Sequence, residues 1–207
     1  MGQREEARER TRQAVLAAAR QELAAVGGVG LSMRAVAREA GLVSSAVYRY
    51  FPTREALLTT MILEGYADLA AALAQVPDGP RPVRWRGLAL ALRGWALTHP
   101  HDFQLVYGTP VPGYQAPPET VPAAAAVAEP FLAAGARAAV PDFAQVPPGA
   151  AMQGAGEPSG VSAVVAELAA LIGMIGLELS GHFTGVVDPA DLYRALIGRQ
   201  LTTLGLR

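Results

Sequence analysis

The sequence predicts an all-α protein. We expect an N-terminal three-helix head with a helix-turn-helix, joined by a long helix to a C-terminal helical body, with about nine to ten helices in all. Hydrophobic residues make up 51% of the 207 residues and charged residues only 17%, which is typical of a folded globular chain. Residues 31–58, LSMRAVAREAGLVSSAVYRYFPTREALL, also carry the start and stop signals of two short helices joined by a glycine turn.

The first helix is predicted from Thr11 to Val26, where apolar and small residues recur at helical spacing. The glycine-rich run GGVG at 27–30 ends it. Residues 1–10 are expected to fray. The arginines at positions 4, 8, 10 and 12 either lie along a nucleic-acid backbone or begin a solvated helix.

The second predicted helix runs from Met33 to about Ala40. Ser32 precedes it as an N-cap whose hydroxyl can accept the free N–H groups of the first turn. Leu31 and Val36 have the spacing of a hydrophobic staple. Gly41 ends the helix, because glycine tolerates the left-handed conformation of a sharp turn.

A third helix of about two turns is predicted from Val43 or Ser44. Val43, Val47 and Phe51 are spaced by four and are expected on one face. The opposite face carries Ser44, Ser45, Tyr48 and Arg49. Pro52 ends the helix, and Thr53 is expected to cap the next one.

Small hydroxyls, an aromatic ring and a guanidinium on one helix face suit contact with the major groove of DNA. A plain three-helix packing unit with a solvated polar face would have the same spacing. Charge adds an asymmetry: residues 1–60 carry nine Arg and six acidic residues, a net +3, whereas residues 61–207 carry eight Arg and twelve acidic residues, a net −4. The basic end of the chain therefore coincides with the helix-turn-helix.

The remaining segments predict a helical body. The fourth helix should run from Arg54 to about Gln75, and the loop at 77–82 marks the predicted boundary between a domain at 10–70 and a domain at 81–207. Further helices are expected at 85–98, 103–107 and 120–140, the last kinked by Pro130. The Pro-rich run at 109–120 is expected to cross the body, anchored by Val111 and Tyr114.

Residues 141–160 are dense in Pro, Gly and Ala, so a mobile or disordered segment is predicted, either a lid over a ligand site or a passive insertion. Two apolar helices follow, at 161–183 and from Asp188-Pro189 onward. Glu167 and Glu178 interrupt the first of them, so a bundle helix is favoured over a membrane span. The charged N-terminus does not resemble a signal peptide, and a cytoplasmic protein is expected.

The sequence contains few of the motifs that indicate a catalytic site or a metal site. The chain has no cysteine, no Gly-x-Ser-x-Gly and no phosphate-binding or dinucleotide fingerprint, so no enzymatic activity is predicted. The run His99-Pro100-His101-Asp102 has the residue types of a metal site, but Pro100 favours a turn or helix start instead. We therefore predict no metal and no cofactor.

The motif resembles the DNA-binding domain of the TetR family of regulators. The resemblance is carried by AVLAAARQELAAVGGVGLSM, RAVAREAGLVSSAVYRYF and PTREALL. It implies a homodimeric regulator, usually a repressor, that binds operator DNA and is released by a small ligand. Carried over by position, the groove contacts are Arg34, Ser44, Ser45 and Arg49, and the phosphate contacts are Tyr48, Tyr50 and Arg54. Val43 and Tyr50 depart from the family's usual polar cap and His.

The segment RGWALTHPHDFQLVYGTPVPGYQAPPETV resembles the C-terminal domain of one TetR subgroup, in which a His-Pro turn joins two body helices. The resemblance implies dimerisation through the two C-terminal helices. Residues at four-residue spacing suggest a pocket for an apolar or aromatic ligand, and they are Trp95, His99, Phe103, Tyr107, Met174, Glu178 and His182. Ordinary core packing is the alternative for each. The alternative function is a small-molecule-binding protein of the same fold without specific DNA binding.

Overall fold

The computed structural model describes residues 2–207 and confirms the all-α fold class. In that part of the chain it has nine α-helices, two short 3-10 helices and no β-strand. The α-helices are α1 (Gln3–Gly30), α2 (Met33–Glu39), α3 (Ser44–Tyr48), α4 (Arg54–Ala74), α5 (Arg81–Thr98), α6 (Pro100–Tyr107), α7 (Thr120–Gly135), α8 (Pro158–Leu179) and α9 (Pro189–Thr203).

The chain divides into two compact units. The head unit comprises the chain up to Gly65 together with His101–Thr120, and the body unit comprises Tyr66–Pro100 and Val121–Arg207. This division differs from the predicted domains at 10–70 and 81–207. The boundary falls inside α4 rather than in the loop at 77–82, and α6 with the segment after it belongs to the head.

Contacts with the head core explain why the segment after α6 belongs to the head. Val111 and Tyr114 pack against the head core, so they anchor the Pro-rich segment as predicted. The segment lies on the head rather than across the body, where it was expected. The Tyr114 hydroxyl lies 3.0 Å from the Thr59 hydroxyl on α4. A Cβ placed on Gly65 would lie 3.3 Å from Val106 Cγ2, so α6 packs closely on α4 at a residue without a side chain.

Helix α1 is longer than predicted at both ends. It begins at Gln3, so residues 3–10 are helical where fraying was expected. Near its other end Gly27 has φ 69° and ψ 173°, which breaks the helical path before the last residues to Gly30. Glycine can adopt this positive φ without a Cβ clash, and the result is a kink at the predicted end of the helix.

The body core is organised around buried polar side chains that have partners. Trp85 Nε1 donates to Gln200 Oε1 at 3.0 Å, and Gln200 Nε2 donates to the Glu167 carbonyl at 2.9 Å. Tyr193 is fully buried and donates its hydroxyl to the Ala89 carbonyl at 2.8 Å. Burial raises the pKa of Tyr193 well above its usual value, so the hydroxyl stays a donor. These bonds join α5, α8 and α9.

Helix α8 ends earlier than predicted, at Leu179 rather than near 183. Gly181 has φ +75°, its N–H donates to the Glu178 carbonyl at 3.0 Å, and the His182 N–H donates to the Leu177 carbonyl at 3.0 Å. This pair of bonds is a Schellman motif, which ends a helix at a left-handed glycine. The predicted helical spacing of Glu178 and His182 is therefore wrong, because His182 lies beyond the helix.

Residues 141–157 contain 3-10 helices at Pro141–Phe143 and Ala150–Met152. The segment is fastened at both ends. The Val140 N–H donates to Ser159 Oγ at 3.0 Å, and the Glu157 N–H donates to the Ala136 carbonyl at 3.0 Å. The segment, predicted to be mobile or disordered, thus has two short helical turns and anchored ends, and its mobility stays a prediction. Whether it acts as a lid stays a prediction.

Helices α4 and α8 are long and apolar enough to cross a membrane by length and composition, with mean hydropathies of 1.4 and 2.0. Their most apolar windows are 39% and 50% buried within this chain, and core helices of soluble proteins pass the same test. The other residues of α8 are half-buried or exposed, and the exposed ones include Val165, Ala169, Gly173 and Leu177.

Candidate nucleic-acid interface

The turn between α2 and α3 is built as the sequence predicts. Gly41 has φ +67°, its N–H donates to the Arg38 carbonyl at 3.2 Å, and the Leu42 N–H donates to the Ala37 carbonyl at 2.9 Å. This is again a Schellman motif, and it satisfies carbonyls at the end of α2. Leu42 packs against the head core, so the turn directs the chain into α3 at a fixed position.

Helix α3 has one buried face. Val47 is fully buried and Phe51 is 3% exposed, so both belong to the head core as predicted. Val43 does not, because it is 69% exposed. Val43 is the N-cap, with an extended backbone at φ −74° and ψ 146°, so the helical spacing that predicted its burial does not apply to it. Ser32 is likewise the N-cap of α2, but its hydroxyl forms no capping hydrogen bond.

Most of the predicted groove and phosphate contacts are accessible. Arg34 on α2, Ser45 and Tyr48 on α3, and Arg49 just after it are exposed. Ser44 and Tyr50 are half-buried, and Tyr50 also packs against the head core. The head therefore presents hydroxyls and a phenol ring on α3, the Arg49 guanidinium just after it and the Arg34 guanidinium on α2.

A cleft of about 510 Å³ adds a cationic residue to this surface. It is lined by Arg8, Thr11, Leu42, Ala46, Arg49 and Tyr50. Arg8 was one of four candidate backbone arginines in the sequence, and no local signal separated it from the others. Its place beside Arg49 follows from the packing of α1 against elements some forty residues later in the chain.

Arg12 has an intramolecular role instead. Its guanidinium pairs with Glu9 at 3.3 Å and with Glu64 at 3.8 Å, and it lies over the Phe51 ring at 5.8 Å. The pKa of Glu9 is lowered by a hydrogen bond from Gln13 and by the nearby Arg12. These acidic partners partly neutralise Arg12, so of the two arginines Arg8 is the better candidate for an external anion.

Arg54, a predicted phosphate contact, also has partners within the head. Its Nε donates to the Leu31 carbonyl at 2.9 Å, and its Nη2 donates to the carbonyls of Gly28 at 2.6 Å and Val29 at 3.1 Å. A guanidinium has five N–H donors, so these three bonds leave the two of Nη1 for an external anion. Arg54 thus anchors the link between α1 and α2 to the start of α4, and its contact with a phosphate stays a prediction.

Two predicted pocket residues form a groove in the body unit. The rings of Trp95 and His99 stack with centroids 5.3 Å apart, and Trp95 Nε1 donates to Asp68 Oδ2 at 2.7 Å. Ala71, Ala72 and Ala91 are among the other residues that line this groove, which measures about 510 Å³. The predicted ring pair is thus present, together with a carboxylate that the sequence pattern did not indicate.

The other predicted pocket residues are not among those that line this groove. Phe103 and Tyr107 belong to the head unit, with ring centroids 5.3 Å apart and Phe103 only 1% exposed. Glu178 is occupied by Arg93, whose Nε donates to Glu178 Oε2 at 2.8 Å. That hydrogen bond is the main cause that raises the pKa of Arg93. His182 is exposed beyond the end of α8, whereas Met174 is buried in it.

Whether the seven residues line one ligand site stays a prediction. Between Gly2 and Arg207, no group of three or more His, Asp or Glu side chains is arranged to hold a metal ion. His99 Nε2 lies 3.7 Å from Asp68, but they form a pair rather than a ligand set.

The chain is similar to known bacterial regulators. Residues 15–61 match the family described as bacterial regulatory proteins, tetR family, and residues 85–200 match the tetracyclin repressor-like C-terminal domain. The HTH-type transcriptional regulators Mb1846 of Mycobacterium bovis and Rv1816 of Mycobacterium tuberculosis are 43% identical over 123 residues. That match covers 58% of this chain and 53% of each relative, so the chain spans about half the length of the curated relatives it matches.

Solved structures share the fold. The regulatory protein SCO4313 superposes with a TM-score of 0.81 and 32% identity, over 97% of this chain and 100% of that one. A protein of unknown function from Rhodococcus sp. RHA1 gives a TM-score of 0.70 and 25% identity, over 93% and 94% of the two chains. A tetR-family regulator from Streptomyces coelicolor, at 19% identity and a TM-score of 0.69, covers 96% of this chain and 82% of its own, and shares the fold alone.

Proposed function

Because the chain belongs to the TetR family of bacterial regulatory proteins, we propose that it is a homodimeric, sequence-specific DNA-binding transcriptional regulator. In this proposal it is a cytoplasmic repressor that a small, largely apolar or aromatic ligand releases from its operator, and it catalyses no reaction. The observation that carries the proposal is the exposed polar face of α3 on a buried helix-turn-helix core.

The DNA-binding surface combines three kinds of group. Ser45 is small enough to let the backbone of α3 approach a groove, Tyr48 and Arg49 reach further, and Arg34 extends the surface on α2. Arg8 and Tyr50 line the adjoining cleft and suit phosphate oxygens. The buried faces of α2 and α3 keep this surface rigid, which a base-reading site requires.

Binding to the DNA upstream of its own coding region tests this proposal. Fluorescence anisotropy should show specific binding whose affinity falls steeply with salt, because phosphate contacts release counterions. Arg49→Ala should weaken binding, by about tenfold if one groove or phosphate contact is lost. Arg86→Ala is the matched control, since Arg86 is an exposed arginine on α5 in the body unit. Equal binding by both variants, or no specific binding to any genomic fragment, would refute the assignment.

The dimer proposal rests on the uncovered face of α8. Residues at helical spacing along more than three turns of it are partly or fully exposed and apolar or small, namely Val165, Ala169, Ile172, Gly173, Gly176 and Leu177. Val165 and Leu177 are 48% and 46% exposed. A continuous apolar stripe of this length is unfavourable in water, and pairing with the same stripe of a second copy would cover it. Leu192 and Leu196, half-buried on α9, would extend the interface.

Sedimentation velocity tests the dimer. Ala169→Arg places a charge in the middle of the stripe and should give a folded monomer at micromolar concentration, because an unpaired charge is costly in an apolar interface. Ala67→Arg adds the same charge at an exposed position of α4 and should remain dimeric. A dimeric Ala169→Arg variant with unchanged helix content would show that the interface lies elsewhere.

The ligand proposal now rests on the groove beside Trp95 and His99. Its stacked rings offer an aromatic wall, alanines form an apolar floor, and Asp68 offers one acceptor. Ala72→Trp would fill the groove and should abolish release of DNA by one- and two-ring aromatic compounds. Ala74→Trp, at an exposed position outside the groove, is the control. If both variants release DNA as the wild type does, the effector binds elsewhere.

The alternative is a ligand-binding protein of the same fold without specific DNA binding. The exposed set of Arg34, Ser45, Tyr48 and Arg49 favours the regulator, because a module without DNA would have no need of a basic, hydroxyl-rich face on α3. The anisotropy experiment separates the two functions.

A further inference from the structure

A cleft lies in the head unit, where the kink of α1 faces α6 and the segment after it. We call it the kink cleft. Its apolar walls are formed by Leu23, Val26, Leu105 and Val111, and His101 and Gln104 of α6 add polar groups. Its volume is about 200 Å³. It belongs to the same unit as the helix-turn-helix and does not involve the groove beside Trp95.

Two glycines of α1 create the cleft. Gly27, at φ 69°, turns the chain out of the helical path, so the last residues of α1 do not pack as a continuing helix would. A Cβ placed on Gly28 would lie 2.9 Å from Val111 Cγ2 and 3.5 Å from Leu105 Cδ1. The backbone therefore approaches the opposite wall closely at Gly28, while Val26 and Val29 on either side remain 49% and 60% exposed. The shape of the cleft therefore follows from the course of the backbone at Gly27 and Gly28.

The lining defines the chemistry of an occupant. It contains no Asp, Glu or Arg side chain, so apart from His101 no lining side chain could pair with a charged molecule. The Gln104 side-chain amide forms no hydrogen bond within residues 2–207, and it offers both a donor and an acceptor. An apolar cavity of about 150 Å³ holds benzene, so a cleft of this size takes a single ring. The fitting class is an uncharged one-ring compound with one hydrogen-bonding group.

The floor of the kink cleft is connected to the DNA-binding surface. The carbonyls of Gly28 and Val29, two lining residues, accept hydrogen bonds from Arg54, which also holds the Leu31 carbonyl at the start of the helix-turn-helix. Arg54 is the first residue of α4, directly after the turn that ends α3. A molecule that moves the backbone at 27–29 would therefore change the anchoring of both α2 and α4.

From these observations we propose that the kink cleft is a second small-molecule site, which binds an uncharged one-ring compound and changes DNA affinity from within the head. The binding claim stands on the cleft alone, and its effect on DNA rests on the proposed function. A compound that separates α6 from the end of α1 lowers DNA affinity, because it loosens the anchor of the helix-turn-helix.

Phenol is the probe, and amide spectra of the ¹⁵N-labelled full-length protein report its binding. We expect saturable shifts at Gly28 and at the Gln104 side-chain amide, with a dissociation constant on the order of 1 mM for so small a ligand. Val26→Phe should fill the cleft and abolish these shifts. Val121→Phe, a change of a similarly exposed valine on α7, should retain them. Absence of saturable shifts in the wild type, or their persistence in Val26→Phe, overturns the binding site.

The polar contact has its own test. Toluene has nearly the shape of phenol but lacks the hydroxyl. Gln104→Leu should reduce the ratio of phenol affinity to toluene affinity by between about twofold and about tenfold, the value of one neutral hydrogen bond. An unchanged ratio would exclude Gln104 as the hydrogen-bonding partner and would overturn the stated ligand chemistry.

DNA affinity at saturating phenol tests the second half of the proposal. Operator affinity should fall in the wild type and in Ala72→Trp, but not in Val26→Phe. An unchanged wild-type affinity overturns the effect on DNA. If the protein binds no specific DNA at all, the proposed function fails, whereas the phenol shifts at Gly28 still decide the binding site.

Discussion

The hydroxyl oxygen of Tyr114 lies 3.0 Å from the hydroxyl oxygen of Thr59. Thr59 is on α4 and only 8% exposed, whereas Tyr114 lies in the Pro-rich segment after α6. This bond, together with the packing of Val111, fastens residues far from the helix-turn-helix in sequence to the core beneath it.

Removing one of these hydroxyls should weaken the head. We expect Tyr114→Phe to lower the free energy of unfolding by about 1 kcal/mol. The change breaks one hydrogen bond, and the Thr59 hydroxyl is too buried for water to replace the lost partner fully. Urea denaturation measures the change. In a double-mutant cycle, Thr59→Val added to Tyr114→Phe should cost less than the sum of the single changes. Strict additivity would mean that the two hydroxyls do not interact.

Gly41 should be intolerant of a side chain. Gly41→Ala forces a Cβ into the left-handed region at φ +67°, and we expect a loss of about 1 kcal/mol of stability, measured by urea denaturation. Gly94→Ala is a control of opposite sign. Gly94 lies inside α5, and no heavy atom lies within 4 Å of the position that a Cβ would take there, so alanine should stabilise the helix by about 0.5–1 kcal/mol.

The anchoring role of Arg54 can be tested apart from a phosphate contact. Arg54→Lys retains the charge but cannot reproduce the fork that holds the carbonyls of Gly28, Val29 and Leu31. We expect the unfolding free energy to fall by about 1–3 kcal/mol, and wild-type stability would contradict the anchoring role. Arg54→Gln also removes the charge, and a shallower salt dependence of its DNA binding would indicate a phosphate contact.

The stabilisation of α8 by its N-cap residue Glu157 should depend on pH. The Glu157 carboxylate accepts hydrogen bonds from Ser159 Oγ at 2.6 Å and from the Gly160 N–H at 2.8 Å, and these bonds lower the pKa of Glu157. A depressed folded-state pKa stabilises the protein above the unfolded-state pKa, and this stabilisation is lost as the pH falls through the folded-state value. Glu157→Gln should therefore be less stable than wild type at pH 7, and the difference should shrink in acid. Stability curves from neutral to acidic pH measure this.

The features that the sequence predicted correctly are mostly local. The glycine turn at Gly41 and the capping of α4 by Thr53 and of α9 by Asp188 each depend on a few adjacent residues. Helix α6 begins at Pro100, before the predicted start at 103. Val43 was misplaced because helical spacing was extended to a residue outside the helix. The end of α8 was misplaced because the signal of Gly181 was outweighed by the apolar residues after it.

The contacts at the candidate sites that the sequence did not indicate have a different cause. The partners of Arg54 and Glu178 are 23 to 26 and 85 residues away in sequence, so no spacing rule connects them. The same holds for the kink cleft, in which the end of α1 faces residues near 101–111. Helical periodicity predicts which face of a helix is buried but not which element covers it. The candidate sites depend on which elements pack together.

The head unit is discontinuous, since the chain leaves it after Gly65, returns at His101 and leaves again after Thr120. This has a consequence for protein engineering. Chimeric regulators are made by joining the DNA-binding domain of one protein to the ligand-binding domain of another at a single junction. A cut in the loop near 77–82 of this chain would separate α1–α4 from the segment that carries Leu105, Val111 and Tyr114. In the chimera, the head core would then pack against side chains of the other protein at these positions. A working exchange would have to transplant both pieces together.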